Sequence, residues 1–406
     1  MEMGFALAKR ILEATAIETS REHPDAAPNY TLSHGYAGLA LLWEQADRCF
    51  PGEKFELVAR EHLQQAREIL SARKQQPLGL FGGLAGYAYA AHYLSRGRTR
   101  YRRAQDEIDA VLHAAISRRC QTLNFQEQFR CSDWDLISGL TGVGAYLLDR
   151  RSEPDAGRAL DGVVKFLVDL FDDSTPPRWF TPGQLTEGES MRRAFPEGSL
   201  NCGLAHGAPG PLALLSLAFE CGLSLPGLPA AIDRTASWLV KNRCDDEWGP
   251  NWPSAWGPAS GGTEPAPRVA RAAWCYGSPG IARALWLAGR ALPRREFQDL
   301  AQEALAAVFR RPSATLKLDS PMFCHGESGV LQITWRFAHE TRETTFLNGA
   351  ASLTESILAR FEIMATSSPA QTVTAPWLLE GMSGISLALL ADGAAPPDWD
   401  RAFLLS

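Results

Sequence analysis

A Gly-x-x-Gly pair recurs seven times along the 406-residue chain: Gly35/Gly38, Gly83/Gly86, Gly139/Gly142, Gly207/Gly210, Gly277/Gly280, Gly326/Gly329 and Gly381/Gly384. Successive copies lie 48 to 70 residues apart. Self-similarity at a steady period marks an array of supersecondary units that bury their apolar faces against one another. Each pair follows an amphipathic segment. In 294–310 the apolar positions Phe297, Leu300, Ala301, Ala304, Leu305, Val308 and Phe309 have the three-four spacing of one buried helix face. Similar segments cover 5–19, 55–70, 101–116, 155–171, 230–241 and 344–361. After each pair comes a run that is apolar all round, such as 38–43, 210–215 and 384–390.

A helix apolar all round is buried, and one with a charged face lies outside it. Seven of each, alternating, predict an all-α fold: an α/α toroid of seven helical hairpins, with seven inner and seven outer helices, as one domain over 1–406. Glycine at the start of each inner helix permits unusual backbone angles and close approach of neighbouring chain. Two roles stay open for these turns: tight packing alone, or helix N-termini gathered at one rim to favour an anion. Two connections are long and irregular, 172–200 and 244–267. Loops of this length are often functional. The first is a candidate inserted extension, irregular or β-rich, or a substrate-facing loop.

Composition narrows the function. The formal net charge is −6 with no basic tract, which argues against nucleic-acid binding. No apolar run reaches the ~18 residues of a membrane span. The first residues lack the basic-then-apolar order of a signal peptide, so a cytoplasmic location is expected. The eight cysteines form no Cys-x-x-Cys pair and are expected to be free thiols. Phosphate-binding loops of the Walker type, Gly-x-Ser-x-Gly and His-Glu-x-x-His are absent from the sequence.

The chemistry gathers at the two positions before the first glycine. Repeats four, five and six read Ala205-His206, Cys275-Tyr276 and Cys324-His325 there. In a ring, equivalent positions face one rim, so Cys275, Cys324 and His325 are expected to converge. Two thiolates and an imidazole suit Zn2+, and three protein ligands leave a position open, as catalytic sites do. His206 is a candidate general acid or base, or a hydrogen-bonded core histidine. Asp135 could orient a histidine, bind substrate or cap a helix. Arg271 could hold an anion or make a surface salt bridge. Tyr276 offers a hydroxyl or packs. Glu380, at the same register in repeat seven, could support a ligand or cap a helix. His34 shares the histidine register, but the first repeat is not next to the fifth or sixth in sequence, so it is read as structural.

These residues bring out a resemblance. The stretches Gly203-Leu204-Ala205-His206-Gly207-Ala208-Pro209-Gly210, Trp274-Cys275-Tyr276-Gly277-Ser278-Pro279-Gly280, Cys324-His325-Gly326 and Leu379-Glu380-Gly381 resemble the lanthipeptide cyclase family, the lanthionine synthetase C-like proteins. The resemblance runs from about residue 30 to 390. It implies a double-layered α/α toroid with a central zinc held by Cys275, Cys324 and His325. It implies His206 and Asp135 as catalytic residues, with Arg271 and Tyr276 as active-site neighbours. Cys202 and Ser328 depart from the family's usual residues, and neither removes a ligand. The family often carries a small β-rich extension, for which 172–200 is the candidate.

The implied reaction adds a peptide cysteine thiol to dehydroalanine or dehydrobutyrine, forming a lanthionine or methyllanthionine ring. The implied partners are a dehydrated precursor peptide with its leader, a dehydratase and an export transporter, with membrane association only through such a biosynthetic complex. Three other readings differ in class: addition of glutathione to dehydrated peptides, a zinc-dependent prenyltransferase subunit, and a non-catalytic peptide-binding scaffold. The prenyltransferase ligand set, which includes a carboxylate, fits these residues less well.

Overall fold

The computed structural model describes residues 2–19, 29–258, 269–366, 375–391 and 397–406, without the side chains of 2–7, 17–19 and 362–366. Seventeen helices lie among the described residues: α1 (Glu2–Thr19), α2 (Tyr36–Cys49), α3 (Phe55–Ser71), α4 (Leu84–Leu94), α5 (Arg102–Asn124), α6 (Cys131–Trp134), α7 (Leu140–Asp149), α8 (Pro154–Leu170), α9 (Glu189–Ala194), α10 (Pro209–Glu220), α11 (Leu228–Lys241), α12 (Ser278–Ala291), α13 (Arg295–Arg310), α14 (Ser313–Leu316), α15 (Glu327–Thr341), α16 (Thr344–Thr366) and α17 (Met382–Leu390). All seven expected outer segments and all seven inner runs are helical. The other three, α6, α9 and α14, are short helices in connections.

Two compact units divide the chain. The first holds residues 1–108 and 317–400, and the second 109–316 and 401–406. Within the first, α2, α4, α15 and α17 are the buried helices; α2 packs on α4 and α17, and α17 on α15. Their amphipathic partners are α3 on α2 and α16 on α15. The partner of α17 is α1, so the first helix of the chain completes the seventh hairpin. In the second unit α10 lies between α7 and α12, with α8, α11 and α13 as the outer partners.

Apolar burial orients the outer helices. In α13, Phe297, Ala301, Ala304, Leu305 and Val308 are buried. Burying a side chain like Phe297 contributes about 1.5–3 kcal/mol. An exposed ion pair such as Arg295–Asp299 on the opposite face contributes little.

Five of the seven turns before the inner helices share one construction. An N–H at the helix start donates to the carbonyl seven residues back: Tyr36 to Asn29, Leu84 to Pro77, Ala208 to Asn201, Glu327 to Ser320 and Met382 to Ala375. The chain thus folds onto its own helix start and takes up a group that an anion would need. Glycine is required because of that approach. A Cβ on Gly207 would lie 2.2 Å from the Asn201 carbonyl oxygen. At Gly277 the gap to the Arg271 oxygen would be 1.8 Å, and φ is +97°, the only left-handed value among the seven leading glycines.

Neighbouring turns are joined by single backbone bonds. In the first unit Cys324 N donates to Leu379 O, Leu378 N and Leu379 N to Ser33 O, and Ser33 N to Phe81 O. In the second, Leu136 N donates to Ala205 O and Ala205 N to Cys275 O. These rungs hold the residues just before the glycines in a common register.

The two long connections form a small antiparallel sheet in the second unit: β1 (Thr181–Pro182), β2 (Gly198–Asn201) and β3 (Ala255–Trp256), in that spatial order. Thr181 pairs with Ser199, and Leu200 with Trp256. In 172–200, the candidate extension or substrate-facing loop, the strands are thus β1 and most of β2, and β2 pairs with a strand from the later connection. Positions 259–267 of that connection lie outside the described residues. Residues 401–406 are also part of the second unit: buried Trp274 donates through Nε1 to Phe403 O, and buried Arg283 donates to Leu405 O. Among the described residues no helix is long and apolar enough to cross a membrane.

Candidate active site

The second unit brings Asp135, His206 and Tyr276 together. Asp135 follows α6 and is almost fully buried. Its Oδ1 accepts the backbone N–H groups of Ser138 (2.7 Å) and Gly139 (2.8 Å), which fixes the carboxylate as a turn cap. Its Oδ2 lies 2.6 Å from His206 Nδ1. One oxygen of Asp135 thus holds the turn and the other holds the histidine. His206 sits in the turn before α10 with its side chain 41% exposed. Burial works against its charge, but the Asp135 hydrogen bond and negative charge, with those of Cys275 and Glu187 behind them, outweigh it. The imidazolium is raised above its ordinary value. Nδ1 is engaged by Asp135, so Nε2 is the nitrogen left for a substrate. His206 is not a core histidine.

Tyr276 has its ring centroid 6.3 Å from that of His206. Its hydroxyl oxygen accepts a 3.0 Å bond from Asn201 Nδ2. Asn201 Oδ1 accepts the Gly203 N–H at 2.9 Å. A backbone N–H only donates, so the amide orientation is set and Nδ2 must face the tyrosine. The Tyr276 hydroxyl proton therefore points away from Asn201. Burial raises the phenol well above its usual range, so it remains a donor. Asn201, at the end of β2, is a site residue missed at the sequence level. An asparagine in an irregular segment has no periodic signature; its place six residues before Gly207 was the available clue.

Cys275 is buried in the adjoining turn, its carbonyl tied to Ala205 N. Arg271 is half-buried on the approach to that turn, its carbonyl beneath Gly277. Cys324 and His325 lie in the first unit, in the turn before α15. The expected ligand set is thus divided between the units, and within neither unit do three His, Cys, Asp or Glu side chains among the described residues stand together as a metal site. The half in the first unit suits a soft divalent metal. Cys324 and His325 are adjacent and partly exposed, and His325 Nδ1 is 3.8 Å from Glu380 Oε1. A metal-binding histidine commonly donates its other ring N–H to a carboxylate; at 3.8 Å the Glu380 contact is an electrostatic approach and not that hydrogen bond. The other oxygen of Glu380 is 3.6 Å from His34 Nε2. His34 is partly exposed in this group, because the first and seventh repeats are joined through Ser33.

The chain belongs to the lanthionine synthetase C-like proteins, which residues 27–404 match. It is similar to the nisin biosynthesis protein NisC of Lactococcus lactis subsp. lactis, at 27% identity over 310 residues, 75% of this chain and 72% of that protein. A solved structure of nisin cyclase has a TM-score of 0.83 to this chain at 23% identity, over 98% of each. That likeness establishes the fold as the α/α toroid expected from the sequence.

Proposed function

We propose that this protein is a zinc-dependent peptide thioether cyclase. The observation that carries the reading is the Asp135–His206 pair at a half-exposed turn, beside the buried hydroxyl of Tyr276. Family membership and the likeness to nisin cyclase support it. The substrate is a precursor peptide bearing cysteine and dehydroalanine or dehydrobutyrine. A dehydratase supplies the alkene, a transporter removes the product, and all act at a cytoplasmic complex.

A free cysteine thiol has a pKa of about 8.5, so little of it is thiolate at neutral pH. Zn2+ held by Cys275, Cys324 and His325 would supply the acidifying centre for the substrate thiol. The sulfur adds to the β-carbon of the alkene, and the π electrons move onto the carbonyl as an enolate. His206, whose protonated form Asp135 favours, delivers the Nε2 proton to the α-carbon and is reprotonated by the proton the thiol released. The Tyr276 hydroxyl proton is available to the enolate oxygen. One S–H and one C=C are consumed, one C–S and one C–H form, and no oxidant or nucleotide is needed.

The test is a peptide with one cysteine and one dehydroalanine, read by thiol alkylation and fragmentation because cyclisation leaves the mass unchanged. The parent protein should bind about one zinc and consume the thiol. Cys275→Ala and Cys324→Ala should lose zinc. His206→Asn should retain zinc and slow cyclisation by about 10²–10⁴-fold, the usual share of general acid–base catalysis. His325→Asn should lose both. Full zinc occupancy in both cysteine variants would sink the ligand assignment. Cyclisation by His206→Asn at the parent rate would remove it from the mechanism.

A further inference from the structure

A cavity of about 510 Å³ opens beside His206, between α6 and the inserted segment. Its size is in the range of pockets that take a small ligand or a peptide side chain with some of its backbone. One wall is the catalytic turn, with Asp135, His206 and Tyr276. The other is the insertion, with Thr181, Ser199 and Asn201 on the strands and Glu187 and Met191 beyond them.

The charges of this lining do not cancel. Asp135 and His206 neutralise each other across their 2.6 Å contact. Glu187 remains. Its Oε1 accepts a 2.9 Å bond from Ser132 Oγ, and Oε2 accepts no hydrogen bond among the described residues. No lysine or arginine is among the lining residues. The other polar groups are mostly hydroxyls and an amide, able to hydrogen-bond a side chain but not to balance a carboxylate. The one cavity thiol, Cys131, is held against Thr181 Oγ1 at 3.4 Å and pushed up to about 12 by burial, so it stays protonated beside an electrophilic alkene.

We propose that this cavity seats the substrate residue flanking the dehydro residue, and that Glu187 makes it select a cationic side chain and reject an acidic one. The inference rests on the cyclase reading. His206 protonates the α-carbon of the dehydro residue, so the space beside it receives that residue's neighbour. The insertion thereby takes part in substrate selection next to the chemistry.

The experiment uses three peptides, each with one cysteine and one dehydroalanine, that carry Lys, Gln or Glu on both sides of the dehydroalanine. Parent, Glu187→Gln and Glu187→Arg proteins are compared by kcat/KM. Fluorescence anisotropy follows unreactive counterparts with alanine in place of dehydroalanine. An ion pair at an exposed site such as Glu187 is worth up to about 1 kcal/mol and a like-charge pair costs a similar amount, so Lys should exceed Glu by up to roughly tenfold in the parent. Glu187→Gln should flatten the order and Glu187→Arg reverse it, in KM and in anisotropy alike. One rate for all three peptides with the parent, or an order unchanged in Glu187→Arg, overturns the inference and leaves the cyclase reading standing. Cyclisation of none of the three by the parent overturns the cyclase reading and this inference with it.

Discussion

Asp135 Oδ2 and His206 Nδ1 are 2.6 Å apart although 71 residues separate them in sequence. The contact fixes which imidazole nitrogen faces substrate and favours the charged ring over the neutral one.

That preference predicts a pH dependence. A histidine raised above its ordinary value of about 6.5 contributes stability that is fully present below that pH and is lost as pH rises through the higher folded value. The same rise keeps the proton donor loaded further into the alkaline range. In Asp135→Asn the amide oxygen still accepts the Ser138 and Gly139 N–H groups, so the turn should hold. The histidine should titrate lower, with Cys275 and Glu187 left as the nearby negative groups. NMR titration of His206 should show the fall. Cyclisation should drop more at pH 8 than at pH 6. An unchanged titration midpoint would contradict the coupling.

Asn201 and Tyr276 allow a test of hydrogen-bond direction. Asn201→Asp is nearly isosteric but offers only acceptors, so the Tyr276 proton should turn toward residue 201 and away from substrate. We expect kcat to fall by about 10- to 100-fold, the worth of a hydrogen bond to a charged acceptor, with KM little changed. Tyr276→Phe should cost a similar amount, and the double variant no more than either. Additive losses in the double variant would refute the shared role.

Gly277 predicts a stability defect. Gly277→Ala places a Cβ 1.8 Å from the Arg271 carbonyl at φ +97°. Backbone strain of roughly 1–2 kcal/mol adds to overpacking of about 1–3 kcal/mol. The melting temperature should fall by several degrees. Gly82→Ala, where a Cβ meets nothing within 4 Å, is the control and should melt as the parent does. Equal melting of the two variants would show that the turn relaxes freely.

The helices were legible because their signals are local and periodic. The spacing in 294–310 and the apolar runs after each glycine correspond to α13 and the inner helices within a few residues. The repeat glycines were legible as close approaches, but among the seven that lead the pairs the left-handed angle is confined to Gly277. The candidate site was legible through repeat register at His206, which pairs with Asp135, and register also named the turns that carry Cys275, Cys324 and His325. Asp135 was one candidate among several roles, because nothing in a single sequence links it to a histidine 71 residues away. The approach of His34 to Glu380 was not legible for a related reason. Sequence distance hid the joining of the first and seventh repeats, which α1 on α17 and the Ser33 carbonyl bring about. Asn201 and Glu187 line the cavity from the end of β2 and from the insertion, where no period marks which side chain faces inward.

The pairing of α1 with α17 sets a schedule for biosynthesis. A ribosome adds about 5–20 residues per second, so α1 emerges roughly 20–70 s before the helix that covers it. The first unit is completed only when 375–400 arrive, and the second only when Phe403 and Leu405 reach Trp274 and Arg283. During that interval the apolar flanks of the early hairpins lack their covers, a state in which chaperone holding has most effect and a premature stop near residue 380 would leave both units open.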